Sequence, residues 1–380
     1  MIRVARAHLN VDAQSHAGMT GKNNEDRYAV ASFVLDQRDR TPVLFAVLAG
    51  GIGGHRRRIP DPGLRVGIGG HGPGEVAAEL AVNHLMQAVA RSDGRHIRQT
   101  IEDAVTEASD AIAAHATAND HMKGMGATCA TAWIVGDKLH TAYVGDSRIY
   151  LIRSGRIQQL TVDHSWVQEA IEKGVLTPEA ARQHANVHVI RRYLGSPTPP
   201  DPDFRLKLFN DEGDQHAENN QGLQLLPNDI LLLCSDGLTD LLWNDEILEV
   251  IRSKPTLKEA SRALIEIANS RGGHDNITVV LISVPPHFKL AVKKNINWVP
   301  WIIGVIAGAV LLLGAASVFA LGLLTRGENA SLTPTITPTP TRTPTPVLTA
   351  TSPPTMTMLP TLSIPIAPTY SPWPTNTGIP

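Results

Sequence analysis

Several kinds of residue are scarce in this sequence, and each scarcity closes off a class of function. Only two cysteines, Cys129 and Cys234, stand among 380 residues, which excludes a disulfide framework and any multi-thiolate metal site. There is no basic excess: the formal net charge is -2, which argues against a nucleic-acid binder, so no nucleic acid is expected as a partner. The stretch Met1 to Gln14 has no apolar run, so no cleavable signal peptide is expected. Charge is nearly absent from residues 331–380, where Arg342 is the single charged side chain and 13 of the 27 prolines gather. A segment of that composition cannot build a packed core, so the folding unit lies upstream of it.

What is present begins with the run Trp298–Leu324, which holds no charged side chain. As a helix it is about 40 Å long, enough to cross a hydrocarbon core of about 30 Å with some tilt. Lys289, Lys293 and Lys294 precede it, while Arg326 and Glu328 cancel after it. The positive-inside rule then places the preceding domain in the cytoplasm and the tail outside the cell membrane. The tail repeats Thr-Pro and Pro-Thr, as in Thr337-Pro338-Thr339-Pro340, and reads as an extended, solvated stalk whose threonines are glycosylation acceptors if it lies outside. The expected organisation is a domain over 1–290, a basic juxtamembrane linker over 291–297, a single transmembrane helix over 298–324 in the lipid bilayer and a disordered Thr/Pro-rich stalk over 325–380.

Within the first 290 residues, short apolar runs bounded by Gly, Asp and Asn predict strands at Ala29–Leu35, Val43–Ala49, Ala127–Val135, Lys138–Val144, Ile230–Cys234 and Ile277–Val284. Val135-Gly136-Asp137-Lys138 reads as a hairpin turn. Helical periodicity predicts helices over Glu75–Arg91 and Ile97–Ala116. Strands grouped in hairpins around a helical pair indicate an α+β layered fold rather than a doubly wound parallel sheet. The polar stretch Asp211–Asn220 reads as a solvated loop.

Four acidic elements stand at the ends of these strands: Asn24-Glu25-Asp26, Gly145-Asp146-Ser147-Arg148, Cys234-Ser235-Asp236-Gly237 and Gly273-His274-Asp275-Asn276. Any one of them alone reads as a turn former. Isolated carboxylates converging without cysteine are also what a hard divalent cation such as Mg²⁺ or Mn²⁺ prefers, and such a cation can polarise a phosphoryl group and activate water.

In order along the chain, these elements resemble the type 2C (PPM-type) metal-dependent protein serine/threonine phosphatases, in a membrane-anchored bacterial form. The pieces are Ser15-His16-Ala17-Gly18 leading to Asn24-Glu25-Asp26, Phe45-Ala46-Val47 before a Gly-rich turn, Gly124-Met125-Gly126-Ala127-Thr128, Val144-Gly145-Asp146-Ser147-Arg148, Leu160-Thr161-Val162-Asp163-His164-Ser165, Cys234-Ser235-Asp236-Gly237-Leu238 and Gly272-Gly273-His274-Asp275-Asn276-Ile277-Thr278. The resemblance spans residues 10 to 285. It implies a sandwich of two antiparallel β-sheets flanked by α-helices, and two Mg²⁺ or Mn²⁺ ions with a third in bacterial-type members. It also implies direct attack of water on phosphoserine or phosphothreonine of cytoplasmic proteins, and opposition to a membrane Ser/Thr kinase. Carried over by position, Asp236 and Asp275 are metal ligands, Gly51 a backbone ligand, Asp26 and Glu25 act through bound waters, Asp146 serves the third metal and Asn276 joins the catalytic group. Val162–Gly195 resembles the flap beside the site.

Two departures fall on the chemistry. The family's strand ends in Asp-Gly with a metal-bridging Asp; here the pair is Gly50-Gly51, so Gly50 is a missing ligand position. The family's phosphate-gripping Arg falls at Gly21, beside Lys22, a weaker substitute because an ammonium offers no bidentate fork. In addition, Gly-Ile-Gly-Gly-His occurs twice, at Gly51–His55 and Gly67–His71, so that about 51–66 reads as an atypical insert carrying Asp61, a carboxylate that could reach a metal if the loop folds back. Three functions stay open: a membrane-anchored phosphatase, a pseudophosphatase that binds phosphoproteins without turnover, and an envelope-spanning sensor with the stalk as its working part.

Overall fold

Nearly every side chain of Pro42–Ala49 is buried, and that decides the architecture. A strand alternates its side chains between two faces, so one buried on both must lie between two apolar layers. Val43, Phe45, Val47 and Ala49 join a core with two helices, while Leu44, Ala46 and Leu48 join a second core with the facing sheet. Each such fully buried Leu or Phe contributes about 1.5–3 kcal/mol through removal from water.

A computed structural model describes residues 1–53 and 72–287. In chain order the strands are β1 (Ile2–Val4), β2 (Asn10–His16), β3 (Arg27–Val34), β4 (Pro42–Ala49), β5 (Gly51–Ile52), β6 (Gly126–Ala127), β7 (Cys129–Val135), β8 (Lys138–Val144), β9 (Arg148–Arg153), β10 (Arg156–Gln159), β11 (Leu223–Gln224), β12 (Ile230–Cys234) and β13 (Ile277–Ser283). The helices are α1 (Pro73–Arg91), α2 (Ile97–Ala118), α3 (Trp166–Glu172), α4 (Pro178–Arg182), α5 (Asp214–Asn219), α6 (Asp236–Thr239), α7 (Asn244–Ser253) and α8 (Leu257–Ser270). One sheet has the order β1-β3-β4-β7-β8-β11 and the other β10-β9-β12-β13-β2, with β5-β6 as a small pair beside them. Every pairing is antiparallel.

The two sheets face each other across Leu44, Ile134, Leu151, Leu233 and Val280. Helices α1 and α2 cover the outer face of the first sheet through Ala81, Leu85, Ala104 and Ala108. Helices α7 and α8 cover the second, packing Ile247, Ile251, Leu264 and Ala268 onto Leu232, Val279 and Leu281. The result is the expected α+β sandwich of two antiparallel sheets between helical layers.

Particular elements differ from the sequence reading. The run expected as one strand over 127–135 is interrupted at Thr128, whose side chain turns toward Gly50. Asp211–Asn220, expected as a loop, contains the short helix α5, because Ala217 is fully buried and Arg205 pairs with Asp214 at its first turn. The 135–138 hairpin turn is present, with Gly136 at φ +65°, a left-handed value that favours glycine. Both cysteines are buried thiols. The transmembrane run, the stalk, the basic linker and Asp61 lie outside the described residues; among the described residues, no helix is long and apolar enough to cross a membrane.

Strand register places the acidic turns together. Arg27 at the start of β3 pairs with Ala49 at the end of β4, and Cys129 at the start of β7 with Val144 at the end of β8. In the other sheet Cys234 at the end of β12 lies between Arg148 of β9 and Val279 of β13. The segments holding Asp26, Gly50, Asp146, Asp236 and Asp275 therefore emerge at one end of the sandwich.

Candidate metal centre

Asp26 sits at the floor of this end, 6% exposed. Thr278 Oγ1 donates to its Oδ2 at 2.7 Å, and Ser15 Oγ lies 2.7 Å from the same hydroxyl. Asn24 joins them, donating from Nδ2 to Ser15 Oγ and accepting the Asp26 N–H at Oδ1. Despite these bonds, burial pushes the Asp26 carboxyl up to about 6, with the charge of Asp275 adding to the rise.

Asp236 opens α6 immediately after β12, and Asp240 follows one helical turn later. Burial first, then the charges of Asp146, Asp240, Asp275 and Asp26, raise Asp236 well above the ordinary carboxylate range. Asp146 is pushed up to about 7 by burial and then by Asp163, against the opposing charge of Arg148. Burial also raises Asp240, opposed chiefly by His188. Carboxylates that repel one another in a low-dielectric recess favour protons, and by the same argument favour a cation. The donor set is all oxygen at Asp26, Asp146, Asp236 and Asp275, which fits a hard divalent ion.

The loop carrying Glu25 is pinned by Asn276. The Asn276 amide is buried, accepting the Glu25 N–H at 2.7 Å and donating to the carbonyls of Ala17 and Asn23 at 3.1 Å each. All three of these side-chain bonds of Asn276 run to backbone groups, so its visible effect is to hold the Glu25 loop in place. The Glu25 carboxylate lies against the start of α1: a Cβ on Gly72 would approach its Oε1 to 2.7 Å and one on Gly74 its Cδ to 2.8 Å. Burial raises Glu25, while the Gly74 N–H and Lys22 work the other way. Lys22 is exposed. Gly21 has open space around its missing Cβ but sits at φ +74°, so an arginine there would strain the backbone.

Gly50 lies inside the carboxylate group. An added Cβ would stand 3.0 Å from Thr128 Oγ1, 3.5 Å from Asp26 Oδ1 and 3.8 Å from Ser147 Oγ. A side-chain carboxylate at this position would thus join Asp26, and glycine leaves it out. Gly51 must be glycine for a different reason, since its Cβ would meet the Gly74 carbonyl oxygen at 2.3 Å and that of Glu25 at 2.6 Å.

Other participants have no role assigned from the sequence. Arg148 clamps Asp163 through three hydrogen bonds of 2.6–3.0 Å and fixes the turn that bears Asp146. His164 accepts the Gly145 N–H at Nδ1 and lies 3.1 Å from Asp203 through Nε2, bracing the same turn. Asp240 and His188 join Asp236 in a cluster whose ligand atoms all lie within 4.8 Å of one another. The four-residue spacing from Asp236 to Asp240 is a usable helical signal; His188 gives none.

Against known proteins, the model of the family described as Protein phosphatase 2C matches residues 64–170. The "Serine/threonine phosphatase stp" of Listeria innocua is 33% identical over 278 residues, covering 72% of this chain and 95% of that protein. Among solved structures, the S. agalactiae serine/threonine phosphatase superposes with a TM-score of 0.59 at 32% identity, over 73% of this chain and 99% of the other. The catalytic domain of the phosphatase PstP, solved in complex with two manganese ions, gives a TM-score of 0.56 at 30% identity over 73% and 98%.

Proposed function

This chain belongs to the protein phosphatase 2C family, and from that premise we propose that its domain over 1–290 hydrolyses phosphoserine and phosphothreonine on proteins with Mg²⁺ or Mn²⁺. The observation that carries this reading is the strand register that brings the turns bearing Asp26, Asp146, Asp236 and Asp275 to one end of the sandwich. Divalent cations held there supply the positive charge that polarises a phosphoryl oxygen and lowers the pKa of water. Two ions are expected, with Asp236 and Asp275 as direct ligands and Asp26 and Glu25 acting through bound waters, and with Asp146 serving a third.

The chain's own residues do the rest. Asn276 fixes Glu25, Arg148 and His164 fix the Asp146 turn, and Thr278 orients Asp26. Lys22, exposed and near enough to Glu25 to act on its charge, draws the phosphate dianion toward the recess. The apolar run 298–324 with its preceding lysines supports a single membrane anchor, with the domain cytoplasmic, within reach of a membrane Ser/Thr kinase, and the 325–380 stalk outside. The linker over 291–297 and the insert at 51–66 complete this organisation.

A second reading, phosphoprotein binding without turnover, is favoured by Gly50, because two dications about 3.5–4 Å apart repel strongly without a carboxylate between them. The test is phosphate release from a phosphothreonine peptide by the full chain in Mn²⁺ or in chelator, beside Gly50→Asp. Metal-dependent release is expected, rising at least about tenfold in Gly50→Asp. Binding without release in the native chain, restored by Gly50→Asp, supports the second reading. Absence of release from both proteins overturns the enzymatic one.

A further inference from the structure

We propose that His188 is a metal-binding residue: with Asp236 and Asp240 it forms a His-Asp-Asp divalent-cation site that fastens the segment over 162–195 to the acidic end of the sandwich. The site's ligand atoms already gather within 4.8 Å of one another, with His188 Nδ1 3.6 Å from Asp240 Oδ2. Around a six-coordinate octahedral ion with bonds of about 2.1 Å, neighbouring ligand atoms stand about 3 Å apart and opposite ones about 4.2 Å. Bringing His188 Nδ1 and Asp240 Oδ2 from 3.6 Å to neighbouring positions on one ion takes a movement of about 0.6 Å.

The three residues come from well-fixed elements. Asp236 and Asp240 are one turn apart on α6 and its C-cap, which puts both carboxylates on one face. His188 is held by backbone pairing on its C-terminal side: Trp166 N donates to Val189 O at 2.8 Å, Ile190 bridges Ser165, and Arg191 N donates to His164 O at 2.7 Å. A second contact docks the same segment on the same loop. The Arg182 guanidinium lies 3.5 Å from the Trp243 ring centroid and donates to the carbonyls of Asp240 and Leu242 at 3.3 and 3.1 Å. His188 is 68% exposed and Asp240 33% exposed on their side chains, so an ion can reach them directly from solvent.

The imidazole changes which ion is preferred. Asp26, Asp146 and Asp275 offer oxygen alone, which suits Mg²⁺ as well as Mn²⁺. One imidazole with two carboxylates favours Mn²⁺ or Zn²⁺ over Mg²⁺, which keeps its waters and its oxygen ligands. Docking of the 162–195 segment beside Asp236 and Asp240 then becomes dependent on a transition-metal ion. Its consequence for substrate access rests on the phosphatase reading above.

Pulsed electron paramagnetic resonance on the full chain loaded with Mn²⁺ tests the site. Nuclear modulation from a directly bound imidazole nitrogen is expected in the native protein and is expected to vanish in His188→Ala. Hydrogen exchange of amides in 166–195 is expected to slow at least about tenfold on Mn²⁺ addition, but not on Mg²⁺ addition and not in His188→Ala. Absence of nitrogen modulation in the native protein, or its persistence in His188→Ala, overturns the proposal and leaves His188 and Asp240 a simple ion pair. Phosphate release measured on the same samples separates the two claims. Release without nitrogen coupling sinks the His188 site and spares the phosphatase reading; coupling lost in His188→Ala, without release from either the native chain or Gly50→Asp, does the reverse.

Discussion

The protein contains two populations of buried carboxylates that are treated in opposite ways. Asp163, Asp203 and Asp229 each face an arginine: Arg148, Arg205 and Arg153 reach them at 2.6 Å. Asp236 faces Asp146, Asp240, Asp275 and Asp26, and Asp26 is met by hydroxyls rather than by a guanidinium fork. The first group is neutralised by the chain itself. The second is left with a deficit of positive charge, which within a folded protein is destabilising unless a cation supplies it. The contrast says more than acidity alone: an acid gripped by its own arginine fork is architecture, and acids that outnumber the cations near them mark the functional end.

The sharpest way to break this comparison is to remove an arginine. Arg205→Ala would leave Asp203 buried with His164 as its main remaining partner, and breaking a buried pair from one side costs about 3 kcal/mol. Urea denaturation should show that loss. Burial works against the Asp203 charge, yet hydrogen bonds from His164 and Arg205 hold its carboxyl below the ordinary value of 3.8. Because the folded-state value is the lower one, the stabilisation is complete above about pH 4 and is lost as pH falls toward the folded value. Native protein should therefore weaken in acid more steeply than Asp203→Asn. Identical acid limbs would show that the pair is not the structural element described.

The opposite sign is expected at the site. In metal-free protein, Asp236→Asn removes a charge repelled by four neighbours and should raise the melting temperature by about 2–4 °C, roughly 1 kcal/mol. With Mn²⁺ present the order should reverse, because the native chain gains binding energy that the variant lacks. Calorimetry with and without Mn²⁺ reads both. Destabilisation by Asp236→Asn in chelator as well as in Mn²⁺ would place Asp236 with the architectural acids.

How far such distinctions could be read from the sequence depends on their range along the chain. Lys138–Val144 and Ile230–Cys234 were legible to the residue, because continuous apolar runs bounded by polar turns leave little choice of register. The acid-bearing turns were legible as strand ends, and antiparallel pairing then brings them together. Helices α7 and α8 carry a readable pattern, Ile247 and Ile251 then Leu257, Ala260, Leu264 and Ala268, although they hold none of the acidic motifs. Helix α5 was hidden because one buried alanine among polar residues gives no period. His188 and Asp240 were not legible as partners, since they are brought together by docking of the 162–195 segment and not by any local spacing.

Burial, rather than charge pairing as such, should decide the size of these effects, and Glu246 with Arg271 supplies the exposed control. Arg271 forks onto Glu246 at 2.6 and 2.9 Å, and the same carboxylate accepts the Trp243 N–H at 2.8 Å at the start of α7. The hydrogen bonds from Arg271 come first among the causes that hold Glu246 at about 2. Both side chains are more than a third open to solvent, 41% for Arg271 and 36% for Glu246, so screening discounts that shift heavily. Glu246→Gln keeps an oxygen to accept from Trp243 and should cost no more than about 1 kcal/mol. The loss should shrink in high salt and as pH falls from about 4.5 toward 2, because a carboxyl held low contributes only while ionised. Arg205→Ala should show neither the small size nor the salt dependence. If Glu246→Gln costs as much as Arg205→Ala at the same ionic strength, exposure is not what separates the two kinds of pair.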